Sequence, residues 1–229
     1  MRVWVTRAEP GASETGARVR NLGHEPLVAP LLAIRPVPFP DMPLRPGALA
    51  FTSRNGVAAL ARRPELAGWR GLPAFTVGEA TADAALGAGF TRVLSADGNV
   101  TALAQLISER RSEFQGEVLH LGARKPAGDL AGAVRSLRSI AVYETVTLEL
   151  ADAVKAGWSE LGAVLFHSPR AARAFAAFNG SLDASNLLAV CISEAAAAPL
   201  RGRVRSVRVA EHPGEEALLD RLGKPARPG

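Results

Sequence analysis

The segment Ala48 to Leu60, ALAFTSRNGVAAL, returns later as Ala163 to Phe175, AVLFHSPRAARAF, and a single offset of 115 residues relates the two. Held fixed, the offset carries Phe51 onto Phe166, Ser53 onto Ser168 and Ala59 onto Ala174. It also carries Glu79, Ala80 and Ala82 onto Glu194, Ala195 and Ala197, and Ala102 and Leu103 onto Ala217 and Leu218. Near the start it takes Val3 to Val118 and Arg20 to Arg135. An offset close to half of a 229-residue chain marks an internal duplication, and such a chain must fold as two similar units.

Within each copy, short β-branched runs alternate with stretches of helical spacing. In the first copy the pattern predicts strands at Val3–Thr6, Pro26–Pro30, Leu49–Thr52, Ala74–Val77 and Arg92–Ser95. Helices are expected at Ala12–Leu22, Asn55–Arg62, Ala80–Leu86 and Thr101–Arg111. Leu31–Val37 reads as a further extended segment, and Pro36–Gly47, with five prolines, as a linker, since proline supports neither a helix interior nor a central strand. The second copy predicts strands at Glu117–Leu121, Ile140–Val146, Ala163–His167, Leu187–Ile192 and Val204–Val209. Its helices are expected at Gly128–Leu137, Asp152–Glu160, Arg170–Phe178, Glu194–Leu200 and Glu215–Leu222, followed by a disordered tail, GKPARPG. Alternation of this kind implies an α/β architecture of parallel sheets covered on both faces.

Composition narrows the function. With 48% apolar residues there is material for two cores, and no apolar run reaches the roughly 20 residues of a membrane helix, so a soluble, cytoplasmic protein without a signal peptide is expected. The single cysteine, Cys191, lies in the apolar run LLAVCI and reads as a buried strand thiol. The formal charge of +5 comes from arginine, the lysines being only Lys125, Lys155 and Lys224. That balance fits a polyanionic partner, either nucleic acid or a small molecule with many carboxylates, and equally fits a coding bias. Aromatics at 5%, not interleaved with basic runs, argue against nucleic acid.

Strand ends carry small polar residues where the next helix opens: Thr52-Ser53-Arg54-Asn55, Gly78-Glu79-Ala80-Thr81, His167-Ser168 and Ser193. In open parallel sheets ligands bind at the carboxyl ends of strands, where unpaired helix N–H groups favour anions. Ser53 and Ser168 are expected N-caps, as is Asn99 of the Asp97-Gly98-Asn99 turn. There is no GxGxxG after a strand, no GxxxxGK[ST], no HExxH and no GxSxG, which removes support for nucleotide, zinc-protease and hydrolase chemistry. His24, His120, His167 and His212 lack metal-ligand spacing and read as surface or structural groups.

Read together, VTRAEP, FTSRNGV, FTVGEATADAAL, AVYETV and LFHSPRAARAF resemble the uroporphyrinogen-III synthase family, in order and over nearly the whole chain. The resemblance implies two Rossmann- or flavodoxin-like parallel-sheet domains joined by a two-stranded β-ladder, with the active site in the cleft between them. Sequence alone would divide the chain near residue 115 into consecutive domains. The family instead implies residues 1–34 with 148–229 as one domain, 47–139 as the other, and 35–46 and 140–147 as connectors. The connectors Leu31–Val37 and Ala141–Val146 would then pair as the ladder and act as a hinge.

The implied reaction is cyclisation of hydroxymethylbilane, a linear tetrapyrrole with eight carboxylates, to uroporphyrinogen III with inversion of ring D and loss of water. The resemblance makes this chain a cofactor-free lyase of tetrapyrrole and heme biosynthesis, monomeric, with transient contact to the preceding hydroxymethylbilane synthase and with no metal. It implies that Tyr143, the only tyrosine, lies at the cleft, where it is the candidate acid for the departing hydroxyl; the alternative is an aromatic that packs the ladder. Arg7, Ser53, Arg54, Asn55, Thr81 and Ser168 are the substrate-binding candidates. The second copy departs from the family, reading Ile192-Ser193-Glu194-Ala195-Ala196-Ala197, so that Ala196 stands where the first copy has Thr81. The LHLGARKPAG strand end also lacks the usual arginine-glycine. The competing reading is a non-catalytic two-lobed binding protein or sensor for a tetrapyrrole or other polycarboxylate.

Overall fold

The computed structural model describes residues 1–38, 45–126, 128–178 and 182–223. The middle of the proline-rich linker and the tail after Gly223 lie outside the described residues. The elements in chain order are β1 (Arg2–Val5), α1 (Gly11–Asn21), β2 (Glu25–Val28), β3 (Leu32–Pro36), β4 (Ala48–Phe51), α2 (Arg54–Leu60), α3 (Leu66–Trp69) and β5 (Pro73–Thr76). They continue with α4 (Glu79–Gly87), β6 (Arg92–Ser95), α5 (Val100–Glu109), β7 (Val118–Ala123), α6 (Leu130–Ala133) and β8 (Leu137–Thr147). The last are α7 (Asp152–Ala156), β9 (Leu161–Phe166), α8 (Pro169–Ala177), β10 (Leu188–Cys191), α9 (Glu194–Ala197), β11 (Ser206–Val209) and α10 (Glu215–Asp220). No helix among the described residues is long and apolar enough to cross a membrane.

The chain forms two compact units: Met1–Ala33 with Val146–Gly229, here unit 1, and Ile34–Thr145, unit 2. The sheet of unit 1 runs β11-β10-β9-β1-β2 and that of unit 2 β3-β8-β7-β4-β5-β6. The offset of the duplication carries β1 and β2 into β7 and β8, and β4, β5 and β6 into β9, β10 and β11. Both sheets therefore have the same strand order, but each is assembled from the front of one copy and the rear of the other. The chain passes between the units in β3 and β8, which are sheet neighbours as the family resemblance implies. Leu148 N–H donates to Leu31 C=O at 2.9 Å and Val37 N–H to Val142 C=O at 3.2 Å, so one index rises as the other falls and the pair is antiparallel.

Why the central strands are nearly continuous apolar runs follows from this layering, because a parallel sheet is buried on both faces. Along β1, Trp4 packs into one core of unit 1 while Val3 and Val5 pack into the other. Along β4, Leu49 and Phe51 enter one core of unit 2 and Ala48 and Ala50 the other. The counterparts Val164 and Phe166, and Ala163 and Leu165, divide the same way. Cys191 on β10 is fully buried, and burial pushes its thiol up to about 12, so it is an inert core side chain.

Two expectations fail locally. The helix expected over Gly128–Leu137 is only Leu130–Ala133: Val134 is already extended and Ser136 takes φ 58, which ends the turn and feeds Leu137 into β8. There Leu137 pairs with Val118 and the ladder runs to Tyr143 beside Ala123, so tertiary pairing overrides helical spacing. The short helix α3 was not expected; it buries Leu66 and Trp69 in the core of unit 2.

Candidate functional site

Each unit presents a carboxyl edge where strands hand over to helices. In unit 2, Ser53 follows β4 with extended backbone and its Oγ accepts from Asn55 N–H at 3.2 Å, capping α2 as expected. Arg54 and Asn55 form the first turn of α2, Arg54 exposed and without an ion pair among the described residues. Gly56 is forced by close approach: a Cβ there would lie 2.2 Å from the Leu121 carbonyl oxygen of β7. Thr81, in the first turn of α4 after β5, is 5% exposed. Asn99 caps α5, its Oδ1 accepting from Thr101 N–H at 2.9 Å and Ala102 N–H at 3.1 Å.

Tyr143 reaches the same edge from β8. It pairs with Ala123 at the end of β7, its carbonyl accepts from Arg124 N–H at 2.8 Å, and its side chain belongs to the buried core of unit 2. Five of the seven sequence candidates, Ser53, Arg54, Asn55, Thr81 and Tyr143, thus share the carboxyl edge of unit 2. Beneath them His120 is buried, with Nε2 3.1 Å from Thr52 Oγ1 and Nδ1 2.9 Å from Ser139 Oγ. Burial pushes its pKa down to about 4, so it sits neutral between two hydroxyls that accept or donate as its tautomer requires.

Arg7 and Ser168 lie on the carboxyl edge of unit 1. Ser168 Oγ accepts from Ala171 N–H at 3.1 Å and caps α8. Arg7 is committed inside its own unit: its guanidinium lies across Gly11 at the start of α1 and donates to Glu215 Oε2 at 2.8 Å and to Thr15 Oγ1 at 3.4 Å. Glu215, in the first turn of α10, also accepts from Thr15 Oγ1 at 2.6 Å and from His167 Nε2 at 3.0 Å. Burial alone would raise the Glu215 pKa; hydrogen bonds from His167 and Thr15, and the charge of Arg7, outweigh it and hold the carboxyl at about 2. This cluster fills the place between β1 and β9 where the strand order reverses.

Sequence reasoning missed Thr15, Glu215 and the buried pairing of His167. A usable signal existed in the duplication: the offset places Thr15, His167 and Glu215 against Leu130, Thr52 and Val100, and Arg7 against Gly122. Arg7 and Glu215, charged in one copy where the other has Gly122 and Val100, mark where the edges diverge. The reverse divergence is Thr81 against Ala196, which is a fully buried residue of α9 and offers no hydroxyl. No cluster of His, Cys, Asp and Glu suited to a metal ion occurs among the described residues.

The sequence model of the family described as uroporphyrinogen-III synthase HemD matches residues 13–220. No curated protein matches the chain by sequence at a significant level. Among solved structures, uroporphyrinogen-III synthetase from Helicobacter pylori is similar at TM-score 0.67 and 22% identity, with 96% of each chain covered. A mutant uroporphyrinogen III synthase from the extremely thermophilic bacterium Thermus thermophilus is similar at TM-score 0.55 and 18% identity, again with 96% of each chain covered. At these identities the structures speak for the two-sheet fold, and the family match, which spans nearly the whole chain, speaks for descent: the chain belongs to the uroporphyrinogen-III synthase family.

Proposed function

We propose that this chain cyclises hydroxymethylbilane to uroporphyrinogen III with loss of water, and that the carboxyl edge of unit 2 carries the chemistry. The family match over residues 13–220 carries the reading. Electrons on the ring A pyrrole nitrogen expel the terminal hydroxyl as water, leaving an electrophilic methylene. Ring D then attacks through its substituted carbon to give a spiro intermediate, and rearrangement followed by closure inverts that ring. Left alone, the free substrate closes through the unsubstituted carbon of ring D to the symmetric type I isomer, so the protein's task is positioning, for which well-ordered geometry supplies about 7–11 kcal/mol of a barrier.

Eight carboxylates give the protein its handles. Ser53, Arg54, Asn55 and Thr81, with the first-turn N–H groups of α2 and α4, are the proposed carboxylate partners in unit 2. Ser168 and Arg7 are the proposed contacts in unit 1, Arg7 the weaker because Glu215 already pairs with its guanidinium. Tyr143 is the proposed proton donor to the departing hydroxyl. A phenol titrating at about 10 is a modest acid near neutrality, so Tyr143→Phe slows turnover about tenfold without abolishing it. Unchanged turnover removes Tyr143 from the mechanism. No cofactor takes part, and we assign the protein as a cytoplasmic monomeric lyase that receives its unstable substrate from the preceding synthase.

The test is to generate hydroxymethylbilane in situ with its synthase, add this protein, oxidise the products and separate the uroporphyrin isomers. Predominantly type III is expected. Type I alone, at the unassisted rate and with folded protein, leaves a binding module instead of an enzyme.

A further inference from the structure

His120 is a buried polar side chain that the proposed chemistry does not use, and the backbone beside it leaves room for its ring. On β7 it pairs with Ala50 of β4 on one side and with Ser139 of β8 on the other. Strand alternation puts it on the same face as Val118, and puts Thr52, the residue after β4, on the face of Ala48 and Ala50. The next residue of β7 on that face is Gly122, where a Cβ would lie 2.7 Å from His120 Cε1 and 2.8 Å from Nε2. The imidazole therefore lies over a bare backbone and reaches along the strand towards the carboxyl edge, with Nε2 3.1 Å from Thr52 Oγ1 and Nδ1 2.9 Å from Ser139 Oγ. The offset of the duplication puts Val5, His24 and His167 where unit 2 has His120, Ser139 and Thr52, so unit 1 has no such chain of groups.

A neutral imidazole carries one N–H, so it donates to one of the two hydroxyls and accepts from the other. Burial keeps this ring neutral near neutrality, its pKa lying at about 4. Thr6 and Thr76, at the carboxyl ends of β1 and β5, donate their hydroxyl protons to Leu165 C=O at 2.6 Å and Leu94 C=O at 3.4 Å. Thr52 Oγ1 bonds to no carbonyl and has His120 as its only partner among the described residues. The residue is only half-buried, beside the Ser53 cap of α2. What it offers a ligand depends on the tautomer. With the proton on Nδ1, the Thr52 O–H is drawn to the ring and only lone pairs face outwards, which repel a carboxylate. With the proton on Nε2, Thr52 accepts from the ring and its own proton is free to donate. Ser139 is exposed, so its hydroxyl turns to donate to Nδ1 while water serves its oxygen. We propose that His120 is a positioning residue, held as the Nε2–H tautomer by Ser139, and that it makes Thr52 a hydroxyl donor to a substrate carboxylate. The identity of the ligand rests on the cyclisation reading, whereas the tautomer is a property of the free protein.

Nitrogen NMR of the histidine rings in the full chain reads the tautomer, the His120 ring being identified as the signal that His120→Gln removes. The Nε2–H form is expected, and a predominant Nδ1–H form overturns the proposal. The second readout is kcat/KM for type III formation. Thr52→Val and His120→Leu each lose about tenfold, the worth of a hydrogen bond to a charged group. The double variant loses no more than either alone, because the ring acts only through Thr52. His120→Gln, whose amide nitrogen reaches the place of Nε2, recovers to within about threefold of the parent, one donor replacing another. If His120→Leu does not fold, His120→Asn takes its place, since that amide reaches only the position of Nδ1. Parental turnover in folded Thr52→Val, or losses that add in the double variant, overturn the proposal. A parent protein that makes type I alone sinks the cyclisation reading instead, and the tautomer then decides whether the relay exists.

Discussion

The two carboxyl edges descend from one design and have parted. In unit 1 the place where strand order reverses is occupied by the protein's own charges, Arg7 and Glu215 with Thr15 and His167 around them. In unit 2 the equivalent positions are Gly122, Val100, Leu130 and Thr52, and the nearby titratable group, His120, is neutral and buried. Unit 1 satisfies its edge internally, whereas unit 2 keeps Thr81 and an exposed Arg54 at strand ends without an ion pair among the described residues. Duplication supplies two anion-friendly rims, and in one of them Arg7 is tied into a salt bridge with Glu215.

The difference is sharpest under acid. His120 has a folded-state pKa of about 4 against an ordinary 6.5, so the unfolded chain takes the proton first and stability falls as pH drops from 6.5 to 4. A shift of that size is worth about 3 kcal/mol at most. Glu215 is depressed to about 2 from an ordinary 4.5, so its contribution is complete above pH 4.5 and is lost as pH falls from there towards 2. Unit 2 therefore loosens first. Trp69 reports on unit 2 and Trp4 and Trp158 on unit 1, so fluorescence of Trp69→Phe and of the Trp4→Phe/Trp158→Phe variant separates the two transitions. Coincident transitions below pH 4 would remove His120 from this role.

A smaller loss is expected at the packing of α2. Gly56→Ala drives a methyl into the Leu121 carbonyl and costs about 2 kcal/mol. Its counterpart in unit 1 is already Ala171, where the reverse change to glycine costs only about 1 kcal/mol of helix propensity. Equal costs in urea denaturation would mean that the two helix entries are packed alike. Smaller again is Glu215→Gln, which strips Arg7 of its counter-charge at a partly exposed pair and costs about 1 kcal/mol. Combining it with Arg7→Gln should cost less than the two separate losses together, and strict additivity would show that the pair is not coupled.

Most of the scaffold was legible because strand patterning is local. β5 was expected at Ala74–Val77 and found at Pro73–Thr76, and β6 was expected and found at Arg92–Ser95. Assignment of strands to sheets was not legible from pattern alone. The apolar run of β9 reads the same whichever copy it joins, so the duplication by itself pointed to a cut near residue 115, and only the family resemblance implied the exchange of segments between units. The Glu215 cluster was hidden for a different reason: its members come from three distant parts of the chain, and Arg7 and Glu215 are separated by 208 positions. The overlong helix at Gly128–Leu137 failed because Ser136 adopts a left-handed backbone that spacing does not encode.

Unit 2 keeps its edge for substrate, on this reading, while unit 1 has spent its own on internal pairing. The most direct measurement compares kcat/KM for type III formation in Thr81→Val and Glu215→Gln, each corrected for the folded fraction. A loss of about tenfold is predicted for Thr81→Val, the worth of one hydrogen bond to a charged group, and a change within about twofold for Glu215→Gln. A large loss in folded Glu215→Gln beside an unchanged Thr81→Val would contradict this division and move the substrate to the edge of unit 1.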